Sequence, residues 1–244
     1  MPPAREFAFA GATLVVERRG RGEPVFLLIH GIGMGRSVFD DLVSHLDDAA
    51  EVVAVDLPGY GEAPEPPLVL TIERTADLVA ACLRDQVEES AVIVGHSMGA
   101  QVGLELAARH PELVRALVLV GPTVDPVART ARKQLSRLLK DIAVESPRVI
   151  AKGAREYVRA GPRLRLKFRA MLAHRPEDVL PRVSAPTLVI RGEDDLVATR
   201  EWCEEIVAGM PDARLAEVPD HGHETMIRDA APAAELIAEF VRGR

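Results

Sequence analysis

One serine of the chain lies between two glycines at a junction that joins a predicted strand to a predicted helix. The residues of this junction are Gly95, His96, Ser97, Met98 and Gly99. A continuous apolar run at 90–94 predicts a buried strand, and apolar residues at helical spacing follow from Ala100 to about His110. Such a turn strains the serine backbone, and its glycines leave room for the strand and helix. Ser97 is therefore predicted to present its hydroxyl at the top of a sheet, at a helix N-terminus.

A serine hydroxyl is a weak nucleophile unless a neighbouring base takes its proton and a third group orients that base. The C-terminal third of the chain supplies both groups where two predicted strands end. The acidic run Glu193-Asp194-Asp195 follows a strand that ends at Ile190, and the segment Asp220-His221-Gly222-His223 follows a strand that ends at Val218. The chain order is serine, acid and histidine, which is the order of hydrolases with this type of serine turn.

The elements around these residues predict an α/β fold. Seven strands are predicted, at 13–18, 24–29, 51–55, 90–94, 116–120, 186–190 and 213–218. Helices with an apolar stripe are predicted at 71–86, 100–110 and 232–241. Buried strands that alternate with helices indicate a mostly parallel sheet with helices on both faces.

One region interrupts this alternation. Between residues 122 and 185 the sequence contains only helix-like stretches, at 127–144, 147–160, 162–173 and 176–183. This region is too long for an ordinary loop between a strand and a helix. We expect a helical insertion that covers one end of the sheet.

Five motifs occur in an order that resembles the α/β-hydrolase superfamily, in its lidded serine-esterase-like branch. They are Leu27-Leu28-Ile29-His30-Gly31, Asp56-Leu57-Pro58-Gly59-Tyr60-Gly61, Gly95-His96-Ser97-Met98-Gly99, the stretch from Pro186 to Asp195, and Gly222-His223. The resemblance implies an α/β-hydrolase fold with a mostly parallel eight-stranded sheet and a helical lid. It places the hydrolase core at 1–121 and 185–244 and the lid at 122–184.

The same resemblance implies roles for individual residues. Ser97 would be the nucleophile, Asp195 the acid that orients the base, and His223 the base. Asp195 is the third residue after its strand-end glycine, and His223 directly follows its own glycine.

Two backbone N–H groups are needed to stabilise the oxyanion of a tetrahedral intermediate. By resemblance these belong to Ile32 and Met98. Gly31, Met34 and Phe39 are expected to contact the substrate, and the neighbouring His30 is expected to order the loop that contains Gly31.

Several residues compete with these assignments. Asp194 is an alternative acid, with Asp195 then a helix cap, and Asp125 is a rarer position for the acid, although it is better explained as a cap of the first insertion helix. His221 is an alternative to His223, but a loop residue near the entrance is the favoured interpretation. The remaining histidines have structural interpretations: His96 is expected to pack beside the serine turn, and surface positions on helices are expected for His45, His110 and His174.

Charge is divided unevenly along the chain. The net charge is −7, yet residues 122–183 contain 15 basic and six acidic residues and so carry +9, which leaves −16 for the rest. A basic insertion over a site entrance would attract an anionic substrate, such as an ester with a free carboxylate or an acyl group on an acidic carrier protein. The alternative is a solvated lid whose arginine stems cover apolar surface. The acidic remainder disfavours nucleic-acid binding.

Composition narrows the classes of protein further. Two cysteines, Cys82 and Cys203, provide no disulfide framework, and no window reaches the ~20 apolar residues of a membrane span. We therefore expect a cytoplasmic protein without stable membrane association. The glycines at 31–35 lack dinucleotide spacing, and the predicted chemistry needs neither a cofactor nor a metal.

The predicted function is that of a serine hydrolase that cleaves a carboxylic ester, thioester or lactone through an acyl-enzyme. Two alternatives stay open at this stage. The same three side chains serve C–C bond hydrolases, lyases and acyltransferases, and the fold also occurs in ligand receptors without turnover.

Overall fold

The computed structural model describes residues 4–46, 50–87, 89–130, 163–227 and 229–243. Within these ranges a single sheet has eight strands in the order β1-β2-β4-β3-β5-β6-β7-β8. The strands are β1 Arg5–Phe9, β2 Ala12–Gly20, β3 Val25–Ile29, β4 Glu51–Asp56, β5 Ala91–His96, β6 Val114–Val120, β7 Thr187–Gly192 and β8 Ala213–Val218.

The sheet is antiparallel at one edge and parallel elsewhere. β2 pairs antiparallel with both β1 and β4, and every other neighbouring pair is parallel. The strands β3 and β5 are buried along their whole length, as expected for apolar strands covered on both faces. Because parallel strands share a direction, the carboxyl ends of β3 to β8 meet at one edge of the sheet, where ligands bind in open α/β folds.

Helices cover the two faces of this sheet. The α-helices of the described chain are α1 Asp40–Leu46, α2 Ile72–Gln86, α3 Met98–Arg109, α4 Leu164–Ala173, α5 Arg200–Ala208 and α6 Ala231–Arg242. The hydrophobic cluster on one face contains residues of α2, α3 and α5, together with Met171 of α4. The cluster on the other face contains residues of α1 and α6. Cys82 and Cys203 are both buried and unpaired in the first cluster.

The fold confirms the predicted α/β-hydrolase architecture with eight strands. Thr71 caps α2 as its sequence position suggests, since its side chain accepts a hydrogen bond from the Arg74 N–H. The edge strand β1 was not among the strands predicted from apolar runs, because four of its five residues are exposed.

The predicted insertion is described only at its two ends. Its helix at 162–173 corresponds to α4, whereas the stretch at 176–183 forms two short 3-10 turns, Pro176–Asp178 and Leu180–Arg182, instead of one helix. The helix predicted at 147–160 and most of the one at 127–144 lie outside the described residues. The boundaries of the lid at 122 and 184 stay a prediction.

Within the described part of the chain, every helix is too short or too polar to cross a membrane.

Candidate active site

The turn at Ser97 has the strained geometry that its sequence predicts. Ser97 has a φ of 55°, a region that residues other than glycine seldom adopt. A Cβ atom on Gly99 would lie 2.0 Å from the carbonyl oxygen of Ile29, and one on Gly95 would lie 2.4 Å from the carbonyl oxygen of Gly99. Both flanking positions therefore require glycine. Ser97 stands between the end of β5 and the start of α3, as predicted.

His223 and Asp195 lie next to Ser97 in a continuous hydrogen-bonded row. The Ser97 Oγ is 3.0 Å from Nε2 of His223, and Nδ1 of the same ring is 2.9 Å from Oδ2 of Asp195. The other carboxylate oxygen accepts hydrogen bonds from the N–H groups of Val197 and Ala198, at 2.7 and 2.8 Å. This row is the arrangement in which an imidazole removes the proton of a hydroxyl while a carboxylate holds the ring in place.

The environment keeps the carboxylate of Asp195 ionised. Complete burial raises the pKa of a carboxyl, but the interaction with His223 and the two backbone N–H groups outweigh it and lower the pKa of Asp195 below its ordinary value. An ionised Asp195 favours the tautomer of His223 that has its proton on Nδ1. The other ring nitrogen is then free to accept the proton of Ser97.

His96 packs beside this row, as its sequence position predicts. Its ring centroid is 5.1 Å from that of His223, and its Nε2 lies 2.9 Å from the His223 carbonyl oxygen. Burial, together with repulsion from His223 when that ring is protonated, lowers the pKa of His96 to about 4. His96 is therefore neutral at physiological pH and donates to the His223 backbone.

Burial of neutral His96 predicts a loss of stability in acid. As the pH falls below 6.5, the unfolded chain protonates this residue while the folded chain does so only near 4. Between about pH 7 and pH 4 the wild type should therefore lose about 3 kcal/mol more unfolding free energy than His96→Gln. Urea unfolding at several pH values measures this difference. Equal losses in both proteins would show that His96 is not the acid-sensitive group.

The competing residues lie in different surroundings. Asp194 is exposed, whereas Asp195 is 2% exposed and points at His223. Asp125 caps the short 3-10 turn Pro126–Ala128 by accepting a hydrogen bond from Val127. The Nδ1 of His221 donates to the carbonyl of Pro219. Among the candidate acids and bases, the described structure brings Asp195 and His223 to Ser97.

The loop after β3 lies directly against Ser97. A Cβ on Gly31 would lie 3.0 Å from the Cβ of Ser97 and 3.4 Å from the Met34 sulfur. His30 orders this loop: its Nδ1 donates to the Gly31 carbonyl at 2.7 Å, and its Nε2 accepts from the Leu57 N–H at 3.0 Å. Burial lowers the pKa of His30, so the ring is neutral and serves both bonds.

The predicted substrate-contacting residues differ in exposure. Gly31 is adjacent to Ser97, and the half-buried Met34 has its sulfur next to Gly31. Phe39 is completely buried in the cluster covered by α1 and α6. Its contact with substrate stays a prediction, and the structure shows it as a core residue.

Two positioning residues were missed at the sequence level. The buried guanidinium of Arg191 donates to the carbonyls of Glu193, Asp195 and Ala198 at 3.1 Å each, so it fixes the loop that carries Asp195. The sequence does contain a signal for this role, because Arg191 is a charged residue inside an otherwise apolar strand. Gly121 has a φ of 52°, and a Cβ there would lie 2.9 Å from Nδ1 of His223.

A small, mostly apolar cavity lies beside the Met98 side chain. Its walls come from the segment after β4, from α2 and α3, and from the insertion helix α4. Its lining includes Tyr60, Leu70, Met98, Val102, Lys167 and Ala170. The cavity contacts the insertion helix directly through Lys167 and Ala170.

The expected surface position of His174 is wrong, whereas His45 is exposed on α1 as predicted. His174 directly follows α4 and is buried, and its Nε2 lies 3.0 Å from Oε1 of Glu105 on α3. With Glu73 these residues form the one described group that has metal-ligand spacing. The guanidinium of Arg182 lies 4.0 Å from Glu105, and we assign no metal to the group.

Comparison with known proteins defines the class of this chain. A sequence model of the alpha/beta hydrolase family matches residues 26–239, so the chain belongs to that family. It is 30% identical to a pimeloyl-[acyl-carrier protein] methyl ester esterase of Neisseria meningitidis serogroup A, a match that covers 88% of this chain and 76% of the relative. It is 29% identical to a 2-(acetamidomethylene)succinate hydrolase of Mesorhizobium japonicum, over 93% and 90% of the two chains.

A solved structure shows the same fold. The thermophilic esterase from Thermogutta terrifontis, determined with malate bound, superposes with a TM-score of 0.84 at 26% identity and covers 99% of both chains. The predicted enzyme class, an α/β-hydrolase of the esterase type, is confirmed by these relatives.

Proposed function

We propose that the protein is a serine hydrolase that cleaves a carboxylic ester, thioester or lactone through an acyl-enzyme intermediate. Ser97 attacks the carbonyl carbon, and His223 takes the proton of the hydroxyl. His223 then returns that proton to the leaving group, which departs as an alcohol or thiol. A water molecule, deprotonated by the same ring, releases the acid and restores Ser97.

The observation that supports this proposal is the hydrogen-bonded row from Ser97 through His223 to Asp195. Its two distances, 3.0 and 2.9 Å, are those of ordinary hydrogen bonds and require no rearrangement before reaction. The strained backbone of Ser97 is a second support, because strain of this kind persists mainly where function needs it.

The oxyanion would be held by the N–H groups of Ile32 and Met98. Met98 is the first residue of α3, so its N–H has no acceptor within the helix. Ile32 follows Gly31, which lies against the Cβ of Ser97. Two such donors would stabilise the charge that develops on the carbonyl oxygen.

A panel of p-nitrophenyl esters of graded acyl length tests this function. We expect repeated turnover, release of one acid for each alcohol, and a covalent acyl-protein that intact-mass measurement detects after rapid acid quenching. Products of C–C cleavage or of transfer to an added alcohol would favour the alternative reactions. Stoichiometric cleavage without turnover would favour a ligand receptor and contradict the proposal.

The preferred substrate is anionic or attached to an acidic carrier protein. Helix α4 exposes Arg165 and Arg169 one turn apart, with the exposed Leu166 between them. Both guanidinium groups therefore lie on the solvent-facing side of α4, where they can contact an anionic partner. The esterase of Neisseria meningitidis, named for a carrier-bound methyl ester, supports the same substrate class. A location in the cytoplasm stays a prediction from the sequence.

Removal of these two charges should weaken anionic substrates selectively. For Arg165→Gln/Arg169→Gln we expect KM for the monomethyl ester of a dicarboxylic acid to rise about 3- to 10-fold at low salt. The dimethyl ester of the same acid should change less than about twofold, and the difference should shrink in high salt.

The matched control for this experiment is Arg5→Gln/Arg115→Gln. Both arginines are exposed. Arg5 lies on the edge strand β1, which three strands separate from β5, and Arg115 lies near the start of β6, at the opposite end of that strand from the site. This variant has the same net charge as the test variant. If both double variants raise KM equally, the net charge of the protein is responsible and the specific role of α4 is wrong.

A further inference from the structure

We propose that Lys167 of helix α4 positions the oxyanion-binding backbone through its contact with Tyr60, so that the insertion helix contributes a positioning residue to the site. The inference rests on the proposed function, because it assigns a support for the Ile32 and Met98 donors.

Lys167 is a buried cation in a helix whose neighbouring positions face solvent. It is 5% exposed, and its ammonium donates to the Gly59 carbonyl at 2.5 Å and to Glu65 at 2.8 Å. A buried ammonium is costly unless its hydrogen bonds are satisfied, so this docking position is specific. A Cβ on Gly59 would lie 2.5 Å from the ammonium, and only glycine permits this approach.

The same ammonium lies over the ring of Tyr60, 4.4 Å from its centroid. Tyr60 is 4% exposed, and this contact restrains its ring by a cation–π interaction. Lys167 therefore joins α4 to a side chain of the segment after β4.

Tyr60 in turn contacts both sides of the proposed oxyanion site. Its hydroxyl lies 3.8 Å from the sulfur of Met98, whose N–H is one donor. Its ring lies edge-on to His30 with centroids 5.2 Å apart, and His30 holds the Gly31 carbonyl next to Ile32. One aromatic ring thus supports the residues around both donors.

The chain offers a matched control. Arg163, at the start of α4, donates to the carbonyls of Pro66 and Pro67 at 2.7 Å each. Arg163 and Lys167 therefore dock the same helix onto the same segment, but of the two it is Lys167 whose charged group lies over the Tyr60 ring. A comparison of variants at these positions separates docking of α4 from support of the oxyanion site.

The test compares Lys167→Met with Arg163→Gln in the full chain. Displacement of oxyanion donors by a fraction of an ångström costs about 10- to 100-fold in rate. For Lys167→Met we expect kcat to fall by about this factor, with KM changed less than about twofold. Affinity for a trifluoromethyl ketone, whose adduct places an oxyanion in the site, should fall in parallel. Arg163→Gln should lower the melting temperature but change kcat less than about twofold.

Two further variants keep the test decisive. Lys167→Met/Glu65→Gln removes both members of the ion pair, which avoids a buried carboxylate without its partner if the single variant folds poorly. In a Tyr60→Leu background, Lys167→Met should have no additional effect on kcat.

Equal kcat losses for Lys167→Met and Arg163→Gln, or an unchanged kcat for Lys167→Met, would overturn the inference. Neither result affects the proposed roles of Ser97 and His223, which are tested separately.

Discussion

Ser97→Ala is expected to lower kcat by about 10⁵-fold or more, to a residual rate that depends on binding and oxyanion stabilisation alone. The alanine side chain removes the hydroxyl that lies 3.0 Å from His223 and leaves no atom to form an ester with the acyl group. Ester hydrolysis by the purified wild type and variant gives the ratio, with the wild-type concentration taken from active-site titration and the variant concentration from absorbance. Circular dichroism and the melting temperature show whether the variant is folded.

Ser44→Ala is a matched control for this substitution. Ser44 is an exposed serine on α1, and its hydroxyl donates to the carbonyl of Asp41 in the same helix. We expect wild-type kcat for it. Turnover by Ser97→Ala within about tenfold of the wild type would show that another group is the nucleophile.

His223→Ala should have a similarly large effect, with kcat reduced by several orders of magnitude, because no other described base is placed to take the Ser97 proton. His221 is the natural comparison, since it lies two residues away in the same loop and bonds to the Pro219 carbonyl. His221→Ala should reduce kcat far less, by about tenfold at most. The test is a comparison of kcat for the two variants on the same ester. A larger loss of kcat for His221→Ala would reverse the assignment of the base.

The sequence predicts the parts of this fold that have clear periodicity. The strands predicted at 90–94 and 186–190 are recognisable from their runs of apolar residues, because both faces of the sheet are covered there, and they correspond to β5 and β7. The edge strand Arg5–Phe9 has exposed residues and no such run, so its pairing with β2 depends on backbone hydrogen bonds that the sequence does not reveal.

The site was predictable to the extent that its residues lie at ends of strands in recognisable turns. Ser97, Asp195 and His223 belong to such turns, and the structure brings these three side chains together. Lys167 and His174 were not predictable in this way. A lysine or histidine on an amphipathic helix is normally solvent-facing, and their burial depends on Glu65 and Glu105, which are distant in sequence.

The central claim is that Ser97 is a nucleophile activated by His223, and the site of fluorophosphonate modification tests it most directly. A fluorophosphonate reacts with an activated serine and leaves a stable covalent adduct. We predict that peptide mass spectrometry of the labelled wild type finds one stoichiometric adduct on Ser97, and that Ser97→Ala and His223→Ala are not labelled under the same conditions. An adduct on another residue, or equally fast labelling of Ser97 in His223→Ala, would contradict the account.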